Sequence, residues 1–457
     1  MTTTQTPASV FNPKENKFLT IMMGALLWGL AWQIRGNGTS NPSTVILLFL
    51  LFLSIHYAPR QKFNLIIFAL AIFAFAIMRT GWGTFVGQAG IPSLSAGHIT
   101  PDGGELLRKI SYDIVVPWWH GYFWLFIVGI SWAGLPALIF GGYFFTTCRY
   151  SLKDLAVCLV LFAVGRHIAG FIAEQLIPLI AGEYYHQIYL PGISQRNYLS
   201  MHGNLAKAMA IVPVLFYIYF GKKDKGFVRR SIVVMVIFGM SLSGAALWHA
   251  LGRIHPEWGL PFWSLWEYSS GFLIGGLLFW FYGRFSEKEL QETDISPGLE
   301  VVEEGKKFGQ FVISATALYF AVLYGLQDSM AGSLKIGSTW LDVKPFASPQ
   351  TIQMVLLIVV LPVYYLHWRG YIGASWLKKS FREKSLVAFL ILVPVNYLLF
   401  MLPFIVTGRL EQLNSAAWLD TISFVVVEVY GLYLYRQFRR SVELTVTIPR
   451  STLPGIS

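Results

Sequence analysis

The chain has 457 residues, of which 55% are hydrophobic and 13% charged. Soluble domains carry about 25% charged residues, so this composition, with a mean hydropathy of +0.54, excludes a soluble globular protein and points to an integral membrane protein. The net charge of +11 suggests nucleic acid at first sight, but its distribution along the chain gives it another meaning.

A membrane-spanning helix needs about twenty predominantly apolar residues. About twelve such segments follow one another, at 17–35, 43–58, 62–79, 120–147, 151–181, 200–220, 228–251, 262–283, 308–327, 350–366, 386–406 and 416–436. The expected fold is therefore all-α, a polytopic integral membrane protein in one transmembrane domain, 1–457. The first segment follows a polar tail and lacks a small-residue cleavage site, so it reads as a retained helix. With both termini cytoplasmic, the inner side collects Lys14, Lys17, Arg60, Lys62, Arg149, Lys153, the run from Lys222 to Arg230, the loops Arg284 to Lys307 and Arg369 to Lys384, and the tail from Arg436. Short cytoplasmic loops gather Lys and Arg in this way. The basic balance thus reflects topology in a plasma (inner) membrane, and no nucleic-acid partner is needed. The loop 284–307, with seven acids and four bases, reads as a solvated connector. Cys148 and Cys158 have no spacing that suggests zinc or a disulfide, and no metal or cofactor is expected.

The cations that break the inside rule carry more information. Arg35, Arg79, Arg166 and Arg253 fall near outer helix ends, with His167, Glu174, His249, His255, Glu257 and Glu267 at similar depth. An ionisable group in hydrocarbon costs about 2.5–3.5 kcal/mol on insertion scales. Such groups therefore pair, snorkel or line a polar cavity, and their number here predicts a shared outward-facing cavity. The outer loops 80–119 and 182–199 are long and rich in glycine, proline and aromatics, as functional loops tend to be. Gly81, Gly83, Gly87 and Gly90 read as tight-turn residues before they read as a phosphate cradle.

Within the segment 151–181, the stretch GRHIAGFIAEQ sets Arg166, Gly170 and Glu174 at i, i+4 and i+8 on one face, with His167 almost above Glu174. Arg166 and Glu174 are about 12 Å apart along the axis, with a residue lacking a side chain between them. A cation, a notch and an acid on one face suit a zwitterionic or anionic headgroup; the alternative is that each charge pairs with a neighbouring helix and Gly170 is a close-packing site. In the segment 262–283, Gly271 and Gly275 predict a helix-packing face. Glu267, among aromatics, reads as a counter-ion for Arg166 or Arg253, or else as a proton acceptor.

These residues resemble a known family. Gly165-Arg166 followed by Phe171 and Glu174 is similar to the Gly-Arg-x-Gly-Asn-Phe-x-Asn-x-Glu signature of bacterial prolipoprotein diacylglyceryl transferases, with the same Arg-to-Glu spacing. His120-Gly121 resembles that family's His-Gly-Gly-Leu, and Arg79-Thr80-Gly81-Trp82 its Arg-Ile-Gly-Tyr. His255-Pro256 and then Ser264-Leu265-Trp266-Glu267 resemble a stretched His-Pro-Ser-Gln-Leu-Tyr-Glu. The likeness implies a transferase-like core at 43–181 and 262–366, with 17–35, 200–251 and 386–436 added. It departs at Ala169 and at Ile172 or Ala173, where the family has asparagines, and the family's Arg-x-x-x-Glu has no counterpart at 315–328. What it implies is an outer-leaflet transfer from a phospholipid or lipid-linked donor rather than lipoprotein acylation itself. Catalytic roles then fall to His120 as base, Arg166 on phosphate, and Glu174 and Glu267 as orienting acids; Arg35, Arg79, His167, Gly170, His249, Arg253 and His255 would bind substrate.

Two other readings compete. About twelve helices with both ends inside also suits a secondary transporter of an anionic solute or lipid. GALLWGLAWQIR at 24–35 and GAALWHALGRIH at 244–255 share five of twelve positions, as parallel halves would. The inner halves of the segments carry few ionisable groups, which favours a one-sided site over a transport path. The third reading is a non-catalytic membrane subunit whose charged patch binds a protein partner.

Overall fold

The computed structural model describes residues 16–36, 42–57, 62, 65–78, 118–182, 195–285, 287–295, 334–336, 339–341, scattered positions from 358 to 373, and 379–406 and 415–447. Among them the chain is helical apart from one short hairpin, Leu334–Ile336 with Thr339–Leu341, paired antiparallel. The helices are α1 (Lys17–Gly36), α2 (Pro42–His56), α3 (Leu65–Met78), α4 (Trp118–Ala137), α5 (Leu152–Ala181), α6 (Gln195–Phe216), α7 (Lys225–Ala245), α8 (Leu247–Ile254), α9 (Phe262–Tyr282), α10 (Glu287–Ile295), α11 (Phe381–Val406) and α12 (Ser415–Thr447). Six spans among the described residues are long and apolar enough to cross a membrane: Lys17–Ile34, Trp119–Phe145, Lys153–Ile180, Ser200–Gly221, Lys225–Gly252 and Trp418–Arg440. The expected segments 308–327 and 350–366 lie outside the described residues, scattered positions of the latter excepted.

The centre of the bundle is an antiparallel α1–α9 pair, and small residues explain its closeness. A Cβ on Gly275 would lie 2.5 Å from the Gly24 carbonyl oxygen, and one on Gly271 2.5 Å from Trp32 Cβ and 2.6 Å from the Trp28 oxygen. The packing face predicted from Gly271 and Gly275 is thus observed. Trp28 and Trp32, both fully buried, fill the space the glycines open, against Phe49, Phe75, Trp132 and Phe238. α2 and α12 close over α1, α11 packs on α2 and α12, α4 packs on α7, and α6 lies between α4 and α5. Only 6% of the apolar window of α5 is buried. Val164, Ile168, Phe171, Ile172 and Leu179 face outward from it, as they must if that face meets lipid.

Cations satisfy the carbonyls left open where helices end. Lys62, though buried, donates to the carbonyls of Tyr143 and Thr146, at the turn that follows α4. Arg230 reaches Gly141 and Phe145 there, at 3.1 and 3.0 Å, and Arg382 donates twice to Ile55 near the end of α2, at 2.8 and 2.6 Å. Two acids tie the same end of the bundle together. Ser151 and Asp154 form a capping box on α5, and Asp154 also accepts from Tyr217 at 2.6 Å and Lys222 at 2.9 Å. Asp224 caps α7 through the Phe227 amide at 2.9 Å, and accepts from Thr146 and, at 3.1 Å, from Tyr150. Burial and the Asp224 carboxylate push the Tyr150 phenol well above its ordinary range, so it stays protonated and keeps donating. Cys148 and Cys158 are both free thiols, half-buried in this region.

The structure breaks one expected helix. The segment 228–251 is not one continuous rod: α7 ends at Ala245 and the short α8 follows, with its own cap at His255. GALLWGLAWQIR lies wholly within α1, whereas GAALWHALGRIH runs across this break, so the two stretches do not form equivalent structures.

Candidate functional site

The polar residues gather at the end of the bundle opposite Lys62 and Asp224. On α5, Gly165 approaches Pro213 of α6, where a Cβ would meet the proline ring at 2.9 Å. One turn further on, the helices leave room for polar groups. A Cβ on Gly170 would meet His202 Cε1 at 3.7 Å and Arg166 Nη1 at 3.8 Å, ordinary contact distances. Gly170 is therefore a notch flanked by a guanidinium and an imidazole, not a close-packing point. His202 Nε2 lies 3.0 Å from the Gly170 carbonyl oxygen and 3.9 Å from Glu174 Oε1. With Nε2 directed at that carbonyl, the assigned tautomer leaves Nδ1 as the basic nitrogen. Arg166 is partly buried and within range of the charge on Lys207, whose Nζ donates to the carbonyls of Ile77 at 2.6 Å and Met78 at 3.3 Å, closing the end of α3. The side chain of Glu174 is 51% exposed, so the cluster opens away from the bundle.

Arg166, Gly170 and Glu174 thus come together as the helical spacing predicts, and the structure adds His202 and Lys207, which sequence reasoning missed. Their signal was present. Ser200, His202, Asn204 and Lys207 interrupt an otherwise apolar segment, and all four lie in its first turns. His167 is exposed and stands edge-on to Phe171 at 5.0 Å, outside the notch.

The other predicted residues lie in separate groups. His120 is buried at the start of α4, and its Nε2 accepts from Trp124 Nε1 at 3.2 Å. Glu267 is fully buried on α9, beside α1, rather than on the α5–α6 pair that carries Arg166, and its charge acts on Asp420 of α12. His249 sits between the rings of Trp263 and Trp266, at 5.5 and 5.4 Å. His255 stacks on Trp258 at 4.3 Å and lies 2.9 Å from Glu257 Oε1. A backbone hydrogen bond, with this imidazole, holds the exposed Glu257 carboxyl below the usual range. Arg35 and Arg253 are placed by their helices, at the ends of α1 and α8, while their side chains lie outside the described residues, as does the whole of Arg79.

Between α7, α8 and α9 is an open groove of about 350 Å³, lined by Leu247, Trp248, Leu251, Ser269, Phe272 and Leu273 among others. Trp248 Nε1 donates to Ser269 Oγ at 2.8 Å, which leaves the lining mostly apolar. Among the described residues no group of three or more His, Cys, Asp or Glu side chains is arranged to hold a metal. Comparison with protein-family models, curated proteins and solved structures returns no match, so the likeness to the diacylglyceryl transferases rests on the motifs quoted above.

Proposed function

We propose that this chain is a membrane protein of about twelve spanning helices, with both termini cytoplasmic, that works at the outer leaflet of the plasma (inner) membrane as a transferase on a phospholipid or lipid-linked donor. The observation that carries this reading is the meeting of Arg166, His202 and Glu174 around the Gly170 notch, with Lys207 within range of Arg166's charge, on the helix whose apolar face is the most exposed of the six described spans. A donor lipid can reach such a site sideways, its chains along Phe171 and Ile172 and its headgroup at the notch.

Arg166 has the planar fork that holds a phosphodiester through two parallel hydrogen bonds, and Lys207 adds a point charge behind it. Glu174 orients the cationic part of the headgroup or the acceptor. His202 beside it takes the proton of the incoming nucleophile as that nucleophile bonds to the transferred group, and the rest of the donor departs as an anion held by Arg166. In this reading His202 replaces His120 as base, because the Nε2 of His120 is already engaged by Trp124. The test is incubation of the purified protein with phospholipids labelled in headgroup and acyl chain, together with candidate acceptors. The expected result is loss of one label in the wild type and none in Arg166→Ala or Glu174→Ala. No turnover, with counterflow of an anion in proteoliposomes, would replace the reading by secondary transport.

A further inference from the structure

The Gly170 notch carries one charge of each sign that the described part of the chain leaves unneutralised. Arg166, partly buried in the span, has no carboxylate within ion-pair distance among the described residues. The charge that acts with it is a second cation, Lys207, whose ammonium is taken up by the Ile77 and Met78 carbonyls. Glu174 has the imidazole of His202 at 3.9 Å, and that ring is directed at the Gly170 carbonyl. Charges inside a membrane span pair with one another or line a polar path. Here the guanidinium lacks an anion and the carboxylate lacks a full positive charge, and both border one opening.

Their spacing lets a single headgroup serve both. Arg166 Nη1 and His202 Nε2 each lie 3.8 Å from the point where a Gly170 Cβ would stand, and Glu174 Oε1 lies 3.9 Å from His202 Nε2. These legs keep the guanidinium and the carboxylate within about 12 Å of each other, no further apart than the eight-residue rise of the helix beneath them. A phosphate bonded to one and an ammonium two carbons away bonded to the other span roughly 10 Å, with a hydrogen bond of about 2.9 Å at each end. The order along the helix also matches. The stripe of Arg166, Gly170 and Glu174 runs back through Ala163 and Leu159, both exposed, so it reads apolar surface, cation, notch, acid. A phospholipid with an aminoethyl headgroup reads chain, phosphate, two carbons, ammonium.

Other headgroups use less of the site. A quaternary ammonium is held by aromatic faces, and Phe171 of this helix meets His167 outside the notch. A carboxylate suits an ammonium that donates hydrogen bonds. A glycerol headgroup brings no positive charge to Glu174, and a serine headgroup brings a second carboxylate against it. Resting on the reading that a phospholipid docks at this notch, we infer that the notch selects a primary-amine headgroup, that of an ethanolamine phospholipid, with Arg166 on the phosphate and Glu174 on the ammonium. Arg166 then sets the binding of any phospholipid, and Glu174 the choice among headgroups.

The test measures binding and not turnover. Full-length protein in detergent is loaded with a fluorescent phosphatidylethanolamine, which is displaced by unlabelled ethanolamine, choline and glycerol phospholipids of identical chains. The ethanolamine lipid should compete about three- to fivefold better than either of the others, the effect of one exposed ion pair. Glu174→Gln should erase that preference, Glu174→Lys should reverse it in favour of the glycerol lipid, and Arg166→Ala should weaken all three. The Glu174 side chain is 51% exposed, so both of its variants should fold, with a Tm within a few degrees of wild type. Equal competition by the three lipids, a preference for choline or glycerol, or an ethanolamine preference that persists in Glu174→Gln would overturn the inference. A preference without turnover of labelled lipid supports it and removes the transferase reading; turnover without a preference does the opposite.

Discussion

At the scale of single residues, Arg166 and Gly170 separate function from packing. The Gly170 surroundings accept a methyl group at ordinary contact distance, so Gly170→Ala should fold with Tm within a few degrees of wild type, and any lost activity would report on the notch. Gly271 is the opposite case. Its neighbours are Trp32 Cβ and a backbone oxygen that cannot swing aside, so Gly271→Leu should destabilise the α1–α9 pair by about 3 kcal/mol or more, read as a lower Tm in detergent. Arg166→Lys keeps the charge and loses the fork; it should weaken binding of an anionic lipid about tenfold in a vesicle competition assay. Tyr150 gives a pH dependence. Because its folded-state pKa is raised, the Tyr150–Asp224 contact contributes stability that is fully present below about pH 10 and is lost as pH rises beyond it. Tyr150→Phe should flatten the alkaline arm of a Tm-versus-pH curve.

At the scale of elements, the ends of helices carry the specific chemistry and their middles carry the packing. Asp224 both caps α7 and joins it to Thr146 and Tyr150 beyond α4, so Asp224→Ala removes a cap and strands two hydroxyl donors. A loss of about 2 kcal/mol or more is expected in an unfolding titration, against roughly half of that for an exposed cap. The break at Ala246 was not legible in the sequence, because neither proline nor a charged residue stands at it and the first cation of GAALWHALGRIH, Arg253, comes only about two turns later. Tertiary packing makes the break: Gly252 lies against Phe262, where a Cβ would meet the ring at 2.5 Å, and Trp248 is held by Ser269. α8 thereby packs on α9, with Trp258 and Leu260 exposed beyond its end.

At the scale of the whole molecule, the proposed topology sets α10 on the cytoplasmic side and the α8–α9 turn on the other. With Cys148 and Cys158 replaced by alanine, Lys288→Cys should react with a membrane-impermeant maleimide only after permeabilisation, and Trp258→Cys in intact cells. The reverse pattern would invert the topology and remove the outer leaflet from the proposed function.

Composition and hydropathy alone determined that the chain is helical and suited to a membrane, and they located the helices closely: 151–181 is α5 almost residue for residue, and 262–283 is α9. Helical periodicity alone set Arg166, Gly170 and Glu174 on one face, and the Gly271/Gly275 spacing alone marked a packing face, because both are properties of a single helix. Which helix supplies the facing group is a property of two. His202 beside Gly170, Lys207 within reach of Arg166's charge, and Asp420 within reach of Glu267's charge follow from how α6 and α12 dock. A pattern of hydrophobicity fixes the depth of a residue and the face it occupies, but not its azimuth around the bundle, and that angle, decided only by packing, is what brings the polar groups together.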